Sequence, residues 1–286
     1  MKIENIELFK ATATKGAEGD EHRKAFAAKL TLPIGAMVLA ESTIRQIFWV
    51  DELTAGQAAN YPKDVNEIDA YVMPGRAAVP QNIIGGDELF VPTFQIASSA
   101  EWSIRFARDG RYNVAEREIA RMKDSIVREE NKNGWATIEA VITDDNTVGN
   151  GDTAITKSLL NLAIKELDAK EGYKADLIVM HPGDVADFRE WASTEIDETT
   201  YKNIHTRNSL GNIWGIDIMR DFNVAPGTFY VFDTSKLGVM PVRQNVEVDN
   251  DPSAISSLSI RYIGYEEVGF AVTDQAAVVK GTFVEL

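Results

Sequence analysis

The sequence predicts a mixed α+β protein, and three stretches carry that reading. Residues 66–104 read as a long β-hairpin and residues 113 to about 130 as a long helix. Residues 152–286 alternate helix and strand and end almost wholly in strand. The chain has 286 residues, of which 44% are hydrophobic. That length suits one large domain or two small ones, and that composition is enough to build a core.

Residues 1–35 are polar and weakly patterned. Gly16-Ala17-Glu18-Gly19-Asp20-Glu21 can bury little, which predicts an extended arm. Over 36–50, Val38, Leu39, Ile44, Ile47 and Phe48 predict a helix ending near Asp51, before the break at Thr54-Ala55-Gly56. In the hairpin, residues 68–73 form one strand. Residues 89–104, rich in β-branched and aromatic side chains, form the other. The connector over 74–86 is too long for a tight turn. Pro92 cannot donate to a strand ladder, so the second strand is expected at a sheet edge. A lone hairpin has little core and needs a neighbour to pack on.

Asn113 and Glu116 form a capping-box arrangement that starts the long helix. Ala115, Ile119, Met122 and Ile126 recur on one face, and Asp124 and Arg128 are spaced to pair. The helix runs to about Glu130, and the pattern leaves open a continuation past Gly134 to Ile142. A second helix is expected over 153–169, with Ile155, Leu159, Ala163 and Leu167 on one face and Gly172 as its stop. Residues 175–180 read as a buried strand. Pro182 opens a short helix with Val185, Phe188 and Trp191 inside, and 192–210 reads as loop. Strands are expected over 213–219 and 228–232, joined through Pro226-Gly227, and then over 246–248, 258–265, 268–272 and 277–279.

The composition narrows the chemistry. Without cysteine there are no disulfides, thiolate metal sites or cysteine nucleophiles. A net charge of −15 is the wrong sign for a dedicated nucleic-acid binder; it suits a protein lining a DNA-filled space without gripping the DNA, but acidity alone does not imply that role. No apolar run reaches the ~20 residues that span a bilayer, and no secretory leader is expected at the N-terminus. Phosphate-binding, dinucleotide, nucleophile-elbow and zinc-protease motifs are missing. His22, His181 and His205 are scattered and read as structural. Asp144, Asn146 and Gly149 match part of a calcium loop, but Val148 and Ile155 stand where oxygen ligands belong, so a polar turn is expected. Glu266-Glu267 and Asp249-Asn250-Asp251 read as solvated charges. No catalytic residue, metal or cofactor is expected.

An arm and a hairpin that cannot be stable alone point to self-association. The connector carries Val79, Ile83 and Ile84, apolar residues on a loop without a core beneath them, and these are the expected intersubunit contact. The competing reading folds them back on their own hairpin.

Two segments resemble the major capsid proteins of tailed phages with the Hong Kong 97 fold. One is Gly211-Asn212-Ile213-Trp214-Gly215-Ile216-Asp217-Ile218 with the following Val224-Ala225-Pro226-Gly227-Thr228-Phe229-Tyr230-Val231-Phe232-Asp233. The other runs Glu267-Val268-Gly269-Phe270-Ala271-Val272-Thr273-Asp274-Gln275-Ala276-Ala277-Val278-Val279. The order of elements, from arm to closing strands, extends the resemblance over nearly the whole chain. It implies an N-terminal arm over 1–40 and an axial domain over 150–240. It implies a peripheral domain over 41–149 and 241–286, holding an extended loop at about 60–104 and a spine helix at about 113–142.

The implied function is a major capsid protein that self-assembles into an icosahedral shell around the viral genome. Its implied partners are copies of itself in pentamers and hexamers, a separate scaffolding protein and a portal. Double-stranded DNA would be enclosed without sequence-specific binding, and no membrane is involved. Its place would be the virion, and the host cytoplasm during assembly. An encapsulin-type compartment shell is the alternative of the same fold, and a soluble α/β enzyme the alternative of another class.

Cross-linking members of the family need a lysine near the loop tip. Here 74–87 has none, and the nearest is Lys63. Shells boiled in detergent are therefore expected to run as a single band near 31.6 kDa on a denaturing gel; a ladder of multimers would overturn this.

Overall fold

The computed structural model describes residues 20–54, 56–62, 88–108, 112–149, 151, 153–189, 191 and 212–283. Its first element corrects the sequence reading. Residues 20–35, expected in an extended arm, belong to helix α1 (Asp20–Glu41). Phe26, Ala27, Leu30, Ile34 and Val38 are buried along it at helical spacing. Pro33 and Gly35 lie inside the helix, and both residue types oppose helix formation. Burial of the apolar face overrides that preference. The helix expected over 36–50 is broken: α1 ends, a single turn α2 (Ile44–Ile47) follows, and strand β1 (Trp49–Glu52) continues the chain.

The next strands are β2 (Asn60–Pro62), β3 (Glu88–Phe90) and β4 (Phe94–Ser103). β2 and β3 pair antiparallel, with Tyr61 opposite Leu89. The strand expected over 68–73, and Val79, Ile83 and Ile84, lie outside the described residues. The run expected over 89–104 splits at Pro92. Its longer part, β4, leaves the hairpin and pairs with β11 (Ser259–Val268) in a five-stranded sheet. β10 (Gly238–Asp251) lies between β11 and the parallel strand β1, and β12 (Ala271–Val272) also pairs with β10. β4 is an edge of this sheet, the position expected for it.

β11 shows how the sheet divides into two faces. Ile260, Tyr262, Gly264, Glu266 and Val268 are buried on one side, and the residues between them are more open. The buried side carries the helices. The Phe26 ring of α1 lies 5.4 Å from that of Tyr262, and Gly264 sits beneath Met122 and Ile126 of helix α4 (Tyr112–Val141), which a short α3 (Ile104–Arg108) precedes. The open side is a polar ladder in which Arg261 meets Glu101 at 2.7 Å and Asp251 at 3.1 Å.

α4 is one unbroken helix of 30 residues through Gly134, about 45 Å long. It starts at Tyr112, so Asn113 lies within its first turn instead of capping it. Ile119, Met122 and Ile126 are buried as expected. Asp124 meets Lys123 at 3.0 Å rather than Arg128. The second half of α4 turns to the other sheet, where the Trp135 ring lies 5.0 Å from Tyr230 and 6.1 Å from Phe232.

That other sheet has six strands: β5 (Thr147–Gly149), β13 (Val278–Thr282), β9 (Thr228–Phe232), β6 (Leu177–Met180), β8 (Ile216–Arg220) and β7 (Asn212–Ile213), in this spatial order. Helix α5 (Lys157–Asp168) covers its far face with Leu159, Leu160, Ala163, Ile164 and Leu167. α5 starts later than expected, where the Thr156 hydroxyl accepts from Leu159 N at 3.3 Å. Pro182 precedes a 3-10 helix (Asp184–Arg189) that buries Val185 and Phe188, with Trp191 buried beyond it. Residues 213–219 form a hairpin, not one strand. Trp214 (φ 54°) and Gly215 (φ 87°) make its two-residue turn, whose positive φ values favour glycine.

Residues 278–282, expected with the peripheral strands, close the six-stranded sheet instead, antiparallel to β9 and parallel to β5. Val278 faces the core shared with α4, and Val279 the core under α5. Asp144–Asn146 form a 3-10 turn tied by Asn146 Nδ2 to the Gln275 carbonyl at 2.7 Å.

β13 leaves no room for a side chain at Gly281. A Cβ there would stand 2.1 Å from Cζ of the fully buried Phe229. Gly281→Ala is expected to cost about 1–3 kcal/mol, measured as a lower denaturant midpoint. Unchanged stability would refute this packing.

Candidate functional site

No group of three or more His, Asp or Glu among the described residues could hold a metal ion, and no described helix is long and apolar enough to cross a membrane. His181 uses Nδ1 to accept from Gly183 N at 3.1 Å, a local structural bond. His22 (side chain) and His205 lie outside the described parts. Two other features stand out: a buried charge cluster, and apolar side chains displayed on rigid turns.

The cluster forms where α1, α2, α4 and β11 meet. Arg45 of α2 grips Glu130 of α4 through Nε to Oε1 at 2.9 Å and Nη2 to Oε2 at 2.8 Å. The same Nη2 reaches Oε2 of Glu266 on β11 at 2.9 Å. Ser42 donates to Glu130 Oε1 at 2.5 Å, and Asn131 Oδ1 accepts from Ile44 N at 3.3 Å. Arg45, Glu130 and Glu266 are all buried. Burial first, then the charge of Glu130, push the Glu266 carboxyl up to about 9, with Arg45 acting against them. For Arg45, burial acts to lower the pKa, but the hydrogen bonds and charges of Glu130 and Glu266 outweigh it and hold the guanidinium above its ordinary value.

This overturns the reading of Glu266-Glu267 as solvated charges. Glu267 lies on the open side of β11 and meets Arg243 at 3.1 Å. Glu266 occupies the opposite phase, with Ile260, Tyr262, Gly264 and Val268. That period-two phase was the available signal for its burial. The partners Arg45 and Glu130 are distant in sequence and carry no such signal.

Phe222 is 83% exposed, and Leu258 is 71% exposed. Trp49 and Phe90 are also exposed. Phe222 stands on a turn that is firmly held. Buried Asp221 accepts from Trp135 Nε1 at 2.9 Å, from Asn223 N at 2.8 Å and from Asn223 Nδ2 at 2.7 Å. Asp184 Oδ2 accepts from Gly227 N at 3.1 Å, and Val224 is buried. Leu258 sits in the left-handed region (φ 55°) at the β10–β11 turn, a conformation that costs energy for a branched side chain. Large apolar side chains on preorganised turns have the form of binding anchors.

The model of the family described as phage capsid protein matches residues 93–281, well over half of the chain. No curated protein matches by sequence. Among solved structures, the capsid of a native GTA particle is similar with a TM-score of 0.62 at 14% identity, covering 85% of this chain and 90% of that one. The structure titled Microbacterium phage Oxtober96 matches with a TM-score of 0.61 at 13% identity, covering 86% and 91%. The SrpI encapsulin from Synechococcus elongatus matches at 0.51 and 13% identity, covering 84% and 86%. The chain thus belongs to the phage capsid protein family and has the Hong Kong 97-like fold of a major capsid shell protein.

Proposed function

We propose that this chain assembles as pentamers and hexamers into an icosahedral shell that encloses a double-stranded DNA genome, with no enzymatic role. The observation that carries this is family membership over residues 93–281. The rigidly displayed Phe222 and Leu258 support it, because a shell subunit needs preorganised contacts with its copies. The net charge of −15 fits enclosure of DNA without sequence-specific binding. A separate scaffolding protein and a portal complete the proposed assembly, which takes place in the host cytoplasm and ends in the virion.

In this reading residues 1–40 act as an N-terminal arm that is helical from Asp20, the region at about 60–104 holds the extended loop and ends in β4 of the five-stranded sheet, and α4 is the spine helix. The peripheral domain spans 41–149 and 241–286, and the axial domain 150–240, with β5 and β13 linking the two through the six-stranded sheet. Val79, Ile83 and Ile84 at the loop tip are proposed to contact a neighbouring subunit. A compartment shell that houses protein cargo is the second reading, supported by the likeness to the Synechococcus encapsulin. Purified shells holding nuclease-resistant DNA support the genome reading, and shells holding only protein cargo support the second.

Ile83→Asp/Ile84→Asp and, separately, Phe222→Asp are expected to keep the circular-dichroism spectrum of a folded subunit. Both should abolish particles in negative-stain microscopy, because a buried unpaired carboxylate is costly at an interface. Normal shells from the double variant would remove the loop tip from the contact, and normal shells from Phe222→Asp would remove that turn.

A further inference from the structure

We propose that Ser42, Arg45, Glu130, Asn131 and Glu266 form a latch that holds one exchangeable proton, and that loss of this proton releases the α1–α2 segment from α4 and β11.

The proton follows from the count of charges and donors. The cluster has one cation and two carboxyls, all buried. With both carboxyls ionised it would hold a net negative charge away from water, a costly state. The hydrogen bonds decide which carboxyl takes the proton. Both oxygens of Glu130 accept from Arg45, and Oε1 also accepts from Ser42. Glu266 accepts once, at Oε2, and its Oε1 is buried with no donor. A proton on Oε1 turns that orphan into a donor, and the charge of Glu130 favours its uptake.

Groups on the other elements leave this balance intact. β4 places apolar Ile96 opposite Glu266, and β10 contributes buried Val242 and Val246. Asn131 and Ser42 are neutral. Of the other charges on α1 and α4, Glu41 and Lys123 pair with each other at 2.6 Å, and buried Arg23 acts on Tyr262. The raised pKa of Glu266 agrees with this assignment.

The latch holds the chain at the joint between α1 and α2. Ser42 and Ile44 N bond only to α4 in the cluster, and Arg45 bridges α4 to β11. An ionised Glu266 would repel Glu130 across a single guanidinium and undo that joint. Between the ordinary value of 4.5 and about 9 the closed form holds a proton that the open form lacks. The stabilisation is therefore complete below 4.5 and is lost as pH rises through about 9, by up to about tenfold in the opening constant per pH unit.

Hydrogen exchange of the full chain tests this, with rates corrected for intrinsic pH dependence. Protection of residues 20–47 is expected to fall steadily from about pH 6 to about pH 9 and to level off above it, while β9 stays protected. Glu266→Gln, a neutral isostere, is expected to flatten that dependence. Glu130→Gln should flatten it as well, because the remaining carboxylate then pairs one-to-one with Arg45. Protection of 20–47 in the native chain that does not change with pH would overturn the proposal, as would an undiminished slope in Glu266→Gln. If the variants fail to fold, infrared spectra of the native chain at neutral pH decide: a protonated buried carboxyl band supports the latch, and its absence refutes it.

Discussion

The fold rests on one guanidinium. Arg45 is the only cation in the cluster that meets Glu130 and Glu266, and the three residues come from the early, middle and late parts of the sequence. Removing such a cation strands two buried carboxyls, a loss of about 3–5 kcal/mol for a broken buried pair. The apolar contacts around it presuppose its geometry. Phe26 reaches Tyr262 only if α1 lies along the sheet, and α1 lies there because Ser42 and Arg45 tie its end to α4. Apolar burial supplies most of the stabilisation, but it is non-directional. The charge cluster sets the direction.

α4 then carries that geometry across the molecule. Its first half lies over Gly264 of the five-stranded sheet, and its second half packs Trp135 on Tyr230 and Phe232 of the six-stranded sheet. The Trp135 indole also bonds Asp221, which holds the turn that exposes Phe222. A chain of direct contacts therefore runs from the Arg45 cluster through one helix to a surface turn. A rigid helix about 45 Å long, packed with both sheets into one shared core, is the physical reason that they keep one relative placement.

Much of this was legible in the sequence, for identifiable reasons. α4, β6 and β9 follow strong local patterns: helical apolar spacing in the first, continuous apolar runs in the strands. The resemblance to phage capsid proteins held over the fold as a whole. α1 was misread because Pro33 and Gly35 argue against a helix locally, whereas its stabilisation is tertiary. The hairpin at Trp214-Gly215 was missed because its strands are too short to show alternation. Glu266 was misjudged by residue type, although its phase along β11 marked it as buried. Arg45 and Glu130 carried no local mark, since a pairing across such sequence distances is visible only in three dimensions.

The five-stranded sheet has its edges, β1 and β4, in the first part of the chain and its centre, β10 and β11, near the end. During synthesis the edges emerge first and have nothing to pair with. The sheet, and the Arg45 cluster that needs Glu266, can close only when the last strands leave the ribosome. Such long-range pairing folds slowly, and it exposes unpaired edges while it waits. It also gives the chain an ordering rule. A chain that lacks β11 has no partner for β4 and no Glu266 for Arg45.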